Sequence, residues 1–216
     1  MVDEQESRVW QDLFNCKMME EIELSERIRR VVEEMASNAI KVSQNLSAQD
    51  ICTMQDLLLD AGRIYTLGVG HSGLIGKVLA MKLMQLGFAS CVVGEVTTPG
   101  LKQGDVVVAI SQSGETTSLL ALSKKAKKMG SRVIAITGHS DSTLARIADC
   151  TVKIEAAAPH TRFQASSILG NEKQANLSGA LFGVNIFLFF YGLICDLAVR
   201  TSQTPSQIDS RHANIE

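Results

Sequence analysis

The sequence lacks an excess of charge of either sign. Its 21 Lys and Arg residues nearly balance 23 Asp and Glu residues, which gives a formal net charge of −2 at pH 7. Proteins that bind nucleic acid or an anionic membrane surface mainly through charge carry a basic excess, so neither is predicted as a partner. The basic run Lys124–Lys128 fits a solvated helix face, because Ala126 and Met129 continue an apolar helical spacing through it.

The sequence also lacks the cysteine patterns of a disulfide framework or a metal site. Its five cysteines are scattered, with no CxxC pair and no histidine at metal-ligand spacing. The opening residues, MVDEQES, are polar and acidic, unlike a secretory signal. We therefore expect reduced thiols in a cytoplasmic protein that uses no metal and no cofactor.

A single long uncharged run stands between Leu177 and Cys195. It is near the length that spans a bilayer. Asn185 and three glycines interrupt it, and no second run of this kind accompanies it. A helix that is apolar on all sides is also typical of a buried central helix or a subunit interface, which is the interpretation we adopt.

Short β-branched runs alternate with helical patterns through the middle of the chain. Because each run is apolar throughout, each indicates a strand buried on both faces of a parallel sheet. We predict an α/β fold, a three-layer αβα sandwich around a five-stranded parallel sheet. The predicted strands are Arg63–Gly70, Ala89–Gly94, Asp105–Ser111, Arg132–Thr137 and Cys150–Ile154, and the helices between them are Ser72–Gly87, Thr116–Gly130 and Ser142–Ala148.

Helices are predicted on both sides of this core. Apolar residues at a period near 3.6 indicate a helix from Met18 to Leu46, and Ser47 is placed to cap a second helix from Ala48 to Leu59. A polar helix is expected from Pro205 to the end. We expect one domain over 1–216, with N-terminal helices at about 18–60, the sheet core at about 61–155 and C-terminal helices at about 176–216.

Two loops rich in glycine and serine follow neighbouring predicted strands. They are GVGHSG (Gly68–Gly73) and SQSGET (Ser111–Thr116), and each opens a helix, where free N–H groups favour an anion. The first loop also fits G-x-G-x-x-G, and Glu95 stands near the distance of a ribose ligand, but a dinucleotide site leaves SQSGET unexplained. Together the loops predict a site for a phosphate monoester, although any one of the serines could simply be a helix cap.

These motifs resemble the sugar isomerase (SIS) domain family, and within it the 6-phospho-3-hexuloisomerase branch. The resemblance runs from about Met18 to the end of the chain. It rests on the two loops together with KLMQLG (Lys82–Gly87), VVGEVTTP (Val92–Pro99), TGHSDSTLARIADCTVKI (Thr137–Ile154) and RHANIE (Arg211–Glu216). It implies a flavodoxin-like sheet, a sugar-phosphate substrate and a dimer or tetramer of identical chains. It also implies phosphate binding by Gly70, Ser72, Ser111, Gln112, Ser113 and Thr116.

Isomerisation of a sugar phosphate through an enediol needs a group that moves a proton between carbons and a group that moves protons between oxygens. The candidate catalytic residues are Glu95, Glu115 and His212, with His71 and Glu172 as secondary candidates. Glu115 could instead cap its own helix. His212 is expected on the terminal helix, which by the resemblance reaches a neighbouring subunit's pocket and makes the active site shared. His139 and His160 lie in loops and have weaker claims.

The sequence departs from the branch's pattern at two places. His71 stands where the resemblance implies an arginine, and the stretch 169–183 lacks the usual histidine, prolines and glutamate, with Gly183 in place of the carboxylate. The leading hypothesis is conversion of 3-hexulose 6-phosphate to fructose 6-phosphate. The alternatives are an arabinose 5-phosphate isomerase and a non-catalytic phosphosugar sensor, although no basic helix-turn-helix segment is visible in the first sixty residues.

Overall fold

A computed structural model describes residues 4–158 and 178–215, with the backbone alone described for 4–17, 19–22 and 178. The chain begins with a 40-residue helix, α1 (Glu4–Ser43). The prediction that this helix begins at Met18 was therefore wrong. No glycine or proline stands before Met18, so no helix-breaking residue prevents α1 from extending farther toward the N-terminus. Ion pairs one turn apart, such as Arg29–Glu26 at 2.6 Å, favour it further.

Helix α2 (Ala48–Leu59) has the predicted boundaries and the predicted cap. The Ser47 hydroxyl accepts a hydrogen bond from the backbone N–H of Asp50 at 3.2 Å. Met54 and Leu58 of this helix are fully buried.

The five strands form one parallel sheet, as predicted. They are β1 (Ile64–Gly68), β2 (Ser90–Val92), β3 (Val106–Ile110), β4 (Arg132–Thr137) and β5 (Cys150–Lys153), in the order β2-β1-β3-β4-β5. The last residues of two central strands are paired, Gly68 of β1 with Ile110 of β3. The chain crosses from one side of the sheet to the other between these strands, which is where α/β sheets of this order bind their ligands.

Helices cover both faces of the sheet and complete the predicted three layers. The other helices are α3 (His71–Gln85), α4 (Thr117–Lys128), α5 (Thr143–Ile147), α6 (Ser178–Arg200) and α7 (Pro205–Asp209). One face of the sheet packs against α2, α3, α6 and the end of α1. The other face packs against α4 and α5. The β-branched residues of β1, β3 and β4 are buried, as their continuous apolar runs indicated, whereas the edge strand β2 is only half-buried along its length.

Helix α6 contains the long apolar run. Residues Gly179–Arg200 have the length and composition of a membrane span, with a mean hydropathy of 2.0. In the structure Phe182, Ile186 and Phe190 lie in the main core, and α6 packs against α1 and α3. Helix α6 is therefore a central helix of the fold, although Leu188 and Val199 are exposed on its other side.

The terminal helix is much shorter than predicted. Helix α7 ends at Asp209, and His212 lies beyond it in a turn closed by its own N–H and the Asp209 carbonyl at 3.0 Å. The side chain of Arg211 explains the end of the helix. It folds back to donate hydrogen bonds to the Gln85 carbonyl at 3.0 Å and to Oε1 of Gln203 at 2.8 Å.

Candidate functional site

A cavity of about 400 Å³ lies at the carboxyl ends of β1 and β3. The first loop contributes Val69 and Ser72 to its wall, and the second contributes Ser111, Gln112, Ser113 and Thr116, with Ile110 and His139 completing the described lining. The two loops that the sequence singled out therefore converge on one cavity. Five of the six residues predicted to bind phosphate line it, and Gly70 lies between the two first-loop residues that do.

The first loop is shaped by glycines. Gly70 has φ of +58°, a conformation that residues with a Cβ rarely adopt, and it is the N-cap residue of α3. A Cβ at Gly68 would lie 2.8 Å from the backbone N of Gly73. The absence of a side chain at this position therefore lets the first turn of α3 sit directly against the end of β1. Ser72 is carried to the cavity by this close approach.

The second loop is held by hydrogen bonds within itself and to the next strand. The Ser111 hydroxyl accepts from the N–H of Gly114 at 3.1 Å and lies 3.0 Å from the Thr116 hydroxyl. The Gln112 carbonyl accepts from the N–H of Gly138 at 3.0 Å and from the Thr137 hydroxyl at 3.2 Å. These bonds fix the loop before any ligand arrives, which lowers the entropy cost of binding.

The two helices that begin at the cavity differ from the others in their caps. Within the described part of the chain, α2, α5 and α7 each begin with a side chain that accepts a backbone N–H bond. Helix α3 begins at Gly70 and α4 at Thr116 without a side-chain cap. Their first N–H groups are open to another acceptor, and an anion at a helix N-terminus is also favoured by the helix dipole.

The cavity is lined mainly by neutral groups. Hydroxyls of serine and threonine, the Gln112 amide and backbone N–H groups can donate to phosphate oxygens without a fixed positive charge. Among the described lining residues, His139 is the one that can become a cation. His139 was expected to have only a weak claim as a loop residue, although its position just after β4, the strand next to β3, places it at the same edge of the sheet.

Glu115 is close to the cavity but is not among its lining residues. Its carboxylate accepts a hydrogen bond from the backbone N–H of Thr143 at 2.6 Å. The Glu115 carboxylate therefore contacts the first turn of α5. It does not line the cavity, and it does not cap α4, which was the alternative interpretation. This hydrogen bond is the main cause that lowers the pKa of Glu115, and the positive charges of Arg146 and Lys124 lower it further.

Glu95 lies in the turn after β2, at the same edge of the sheet. Its carboxylate pairs with Lys77 of α3, with 2.6 Å between Oε1 and Nζ, and both side chains are about half exposed. The pair is outside the described lining of the cavity. Glu95 is thus held beside α3, the helix whose first turn carries Ser72.

The two candidate imidazoles lie at opposite ends of α3. His71 is the first residue of the helix and is exposed next to Ser72. His212 is exposed and follows Arg211, whose side chain bonds to Gln85 at the last turn of the same helix. Since 15 residues of helix span roughly 22 Å, His212 does not reach the cavity of its own chain. Glu172 lies outside the described residues.

The described residues contain no group of three or more His, Cys, Asp or Glu side chains with the arrangement of a metal site. The described lining of the cavity presents hydroxyl, amide and imidazole groups to a ligand.

Comparisons with known proteins agree with this geometry. The SIS domain model matches residues 57–174. A 3-hexulose-6-phosphate isomerase of Bacillus subtilis is 32% identical over 89% of this chain and 98% of its own. A solved Methanococcus jannaschii structure, from which a 3-hexulose-6-phosphate isomerase function was inferred, is 28% identical with a TM-score of 0.70, over 86% of this chain and 98% of that one. An uncharacterised HTH-type transcriptional regulator of Clostridium perfringens is 30% identical over 70% of this chain and 58% of its own.

Proposed function

The chain belongs to the SIS domain family, and from that premise we propose that it isomerises a ketose phosphate, with 3-hexulose 6-phosphate and fructose 6-phosphate as the substrate pair. One observation carries the proposal. Two loops from adjacent strands converge on a single cavity of neutral donors, at the start of two helices that lack side-chain caps. A phosphate monoester satisfies those donors and both helix N-termini at once.

The proposed role of the cavity is to hold the phosphate in both the substrate and the transition state. Ser72, Ser111, Ser113 and Thr116 donate from their hydroxyls, and Gln112 and the backbone around Gly70 supply further N–H groups. Binding of this kind fixes the sugar relative to the protein, and the entropy that it removes lowers the barrier to the later proton transfers. The phosphate itself takes no part in the isomerisation.

The proposed chemistry moves a proton between neighbouring carbons through an enediol. A carboxylate takes the proton from one carbon and returns it to the other, while a second group moves protons between the two oxygens. Glu95 and Glu115 are the candidate carboxylates with described positions, and His71 is the candidate imidazole next to Ser72. His212 enters the proposal only as a residue of a second copy, and Glu172 as an undescribed candidate.

Assembly into dimers or tetramers is part of the proposal. A groove of about 690 Å³ between α1, α2 and α6 is lined mostly by apolar residues. An apolar stripe on α1 at four-residue spacing leads into it and is exposed, with Leu24, Ile28, Val32 and Ile40 as its largest members. Exposed apolar surface of this extent is characteristic of interfaces.

We propose the cytoplasm as the location, in keeping with the free thiols of the four cysteines whose side chains are described.

The direct test is turnover by the purified protein on a panel of hexulose and pentulose phosphates, with and without a chelator. We expect formation of fructose 6-phosphate from 3-hexulose 6-phosphate in both conditions. Glu95→Gln and Glu115→Gln should lower kcat by at least roughly a hundredfold for whichever carboxylate moves the carbon-bound proton. Absence of activity on every member of the panel would refute the isomerase proposal.

A phosphosugar sensor is the second candidate, and the similarity to a transcriptional regulator favours it. A sensor would bind sugar phosphates through the same cavity without changing them. Calorimetric titration therefore separates the two functions: saturable binding with no turnover indicates a sensor, whereas an isomerase gives heat of reaction and a measurable product.

A further inference from the structure

Helix α6 meets the two loops of the cavity through glycines that lie one turn apart. A Cβ at Gly183 would stand 2.6 Å from Nδ1 and 3.0 Å from Nε2 of His71, and closer still to Cε1. A Cβ at Gly179 would stand 3.9 Å from Oε1 of Gln112, an ordinary contact distance. The imidazole of His71 therefore lies against the backbone of α6, with its Cε1 nearest, at a place that no side chain could share.

Resting on the proposed function, we infer that Gly183 is a positioning residue that sets the imidazole of His71 beside the phosphate cavity, facing the sugar of the bound substrate. Glycine is among the least favourable residues inside a helix, and at position 183 the space that a side chain would take is filled by another group. His71 is that group. Its backbone precedes Ser72 of the cavity wall, and its side chain is otherwise exposed toward the space beside the loop.

A side chain at position 183 would displace the imidazole of His71 rather than the helix. The neighbours of Gly183 along α6 anchor the helix in the main core, with Phe182 at 2% and Ile186 at 0% exposure. The loop at the other side is fixed by the close packing of Gly68 against Gly73. A methyl group at position 183 would therefore push the ring out of its place, while the cavity that binds phosphate would keep its shape.

Positions 71 and 183 are thus in direct contact. An imidazole in this place at position 71 requires the absence of a side chain at position 183. Position 183 decides which group position 71 can present to the sugar, so the pair determines specificity as a unit.

The test compares Gly183→Ala with Gly192→Ala, which adds the same methyl group to the same helix where nothing lies within 4 Å. We expect Gly183→Ala to lower kcat at least tenfold with KM and the affinity for inorganic phosphate changed less than threefold, and Gly192→Ala to change none of them. His71→Ala should lower kcat to a similar degree. Adding Gly183→Ala to His71→Ala should cause no further loss, because the ring that it displaces is gone.

Thermal unfolding separates this inference from the proposed function. Alanine favours a helix over glycine, so Gly183→Ala should raise the melting temperature less in the wild-type chain, where it displaces the ring, than in the His71→Ala chain, where the clash is removed. This difference depends on the contact alone and can be measured even if no substrate is turned over. Equal effects of Gly183→Ala in the two chains would overturn the inference, and so would an active Gly183→Ala variant with unchanged kcat. A wild-type protein without isomerase activity would refute the function, and the melting temperatures would still decide the contact.

Discussion

Ser111 and Ser113 stand two residues apart in the second loop, yet their surroundings differ. Ser111 is 4% exposed, and its hydroxyl is bonded to both Gly114 and Thr116. Ser113 is exposed, and its hydroxyl accepts only from the N–H of Glu115 among the described contacts, at 3.2 Å. The motif alone treats the two serines alike, whereas the structure separates a hydroxyl that holds the loop from one that is open to a ligand.

Ser113→Ala should therefore weaken phosphate binding without lowering stability. A hydrogen bond to a charged group contributes about 1.5–3 kcal/mol, so we expect a loss of affinity of roughly tenfold to a hundredfold. Ser111→Ala should weaken binding and also lower the free energy of unfolding by about 1–2 kcal/mol, because it removes a buried acceptor. Titration with inorganic phosphate and thermal melts measure both effects. Ser118→Ala, on the exposed side of α4, is the control, and identical behaviour of the two loop variants would contradict the distinction.

The carboxylate of Glu115 should make stability depend on pH. Its hydrogen bond from Thr143 lowers its pKa below the ordinary value of 4.5, so its stabilisation is present above that pH and is lost as the pH falls through the lowered pKa. Wild type should therefore be more stable than Glu115→Gln at pH 6, and the difference should shrink as the pH falls below 4.5. Denaturant unfolding at a series of pH values checks this. A difference that stays constant with pH would show that the charge is not the cause.

Cys150 should make the free energy of unfolding fall as the pH rises through the alkaline range. Burial under α2 raises the pKa of its thiol to about 11, with the charges of Asp50 and Asp149 adding to the effect. The unfolded thiol ionises from about pH 9, so stability should fall between pH 9 and 11 by roughly 2–3 kcal/mol from this group. Cys150→Ala should remove that part of the decline, while Cys52→Ala, at an exposed position, should leave it unchanged.

At the scale of elements, the strands were the most predictable feature. Each predicted strand overlaps an observed one, because a continuous β-branched run must be buried on both faces and has few other ways to fold. The end of α7 could not be predicted. The Arg211 side chain bonds there to the Gln85 carbonyl, 126 residues away in sequence, as well as to the nearby Gln207 carbonyl, and a sequence pattern does not show the distant contact. The hydrogen bond from Thr143 of α5 to Glu115 could not be predicted for the same reason.

The absence of side-chain caps on α3 and α4 gives a prediction at this scale. Thr116→Asp would place a carboxylate at the start of α4, where it can accept the free N–H groups and interact favourably with the helix dipole. We expect the capping gain of about 0.5–1 kcal/mol to offset the lost hydrogen bond between the Thr116 and Ser111 hydroxyls, and the affinity for inorganic phosphate to fall at least tenfold, because the carboxylate occupies the same donors and repels the ligand. Ser47→Asp on α2 is the control and should leave phosphate binding unchanged. Unchanged phosphate affinity in Thr116→Asp would mean that these N–H groups do not bind the anion.

At the scale of the whole molecule, the fold explains the cavity but leaves an apolar stripe of α1 uncovered. Helix α1 contacts the rest of the domain mainly through its last turns, where Ala39 and Val42 are buried. Farther toward its N-terminus, Ile28 and Val32 are each 58% exposed. The sequence predicted a helix here from its period, but it could not show which apolar residues face the core. Among the side chains of α1 that the structure describes, Ala39 and Val42 pack within the chain, whereas the exposed apolar stripe does not.

The exposed stripe should therefore pack against a second copy, and breaking it should separate the subunits. Charges around it alternate in sign along α1, with Arg27, Arg29 and Arg30 between glutamates, so an antiparallel pair of these helices places opposite charges near each other. We expect Ile28→Glu combined with Val32→Glu to shift the protein toward monomer in analytical ultracentrifugation with little change in circular dichroism. Lys41→Glu, at an exposed position of α1 away from Ile28 and Val32, is the control. A doubly substituted protein that keeps the wild-type sedimentation coefficient would exclude this stripe as the interface.

If the active site is shared through His212, the monomer should bind phosphate normally and lose turnover, and His212→Asn should do the same without changing the assembly.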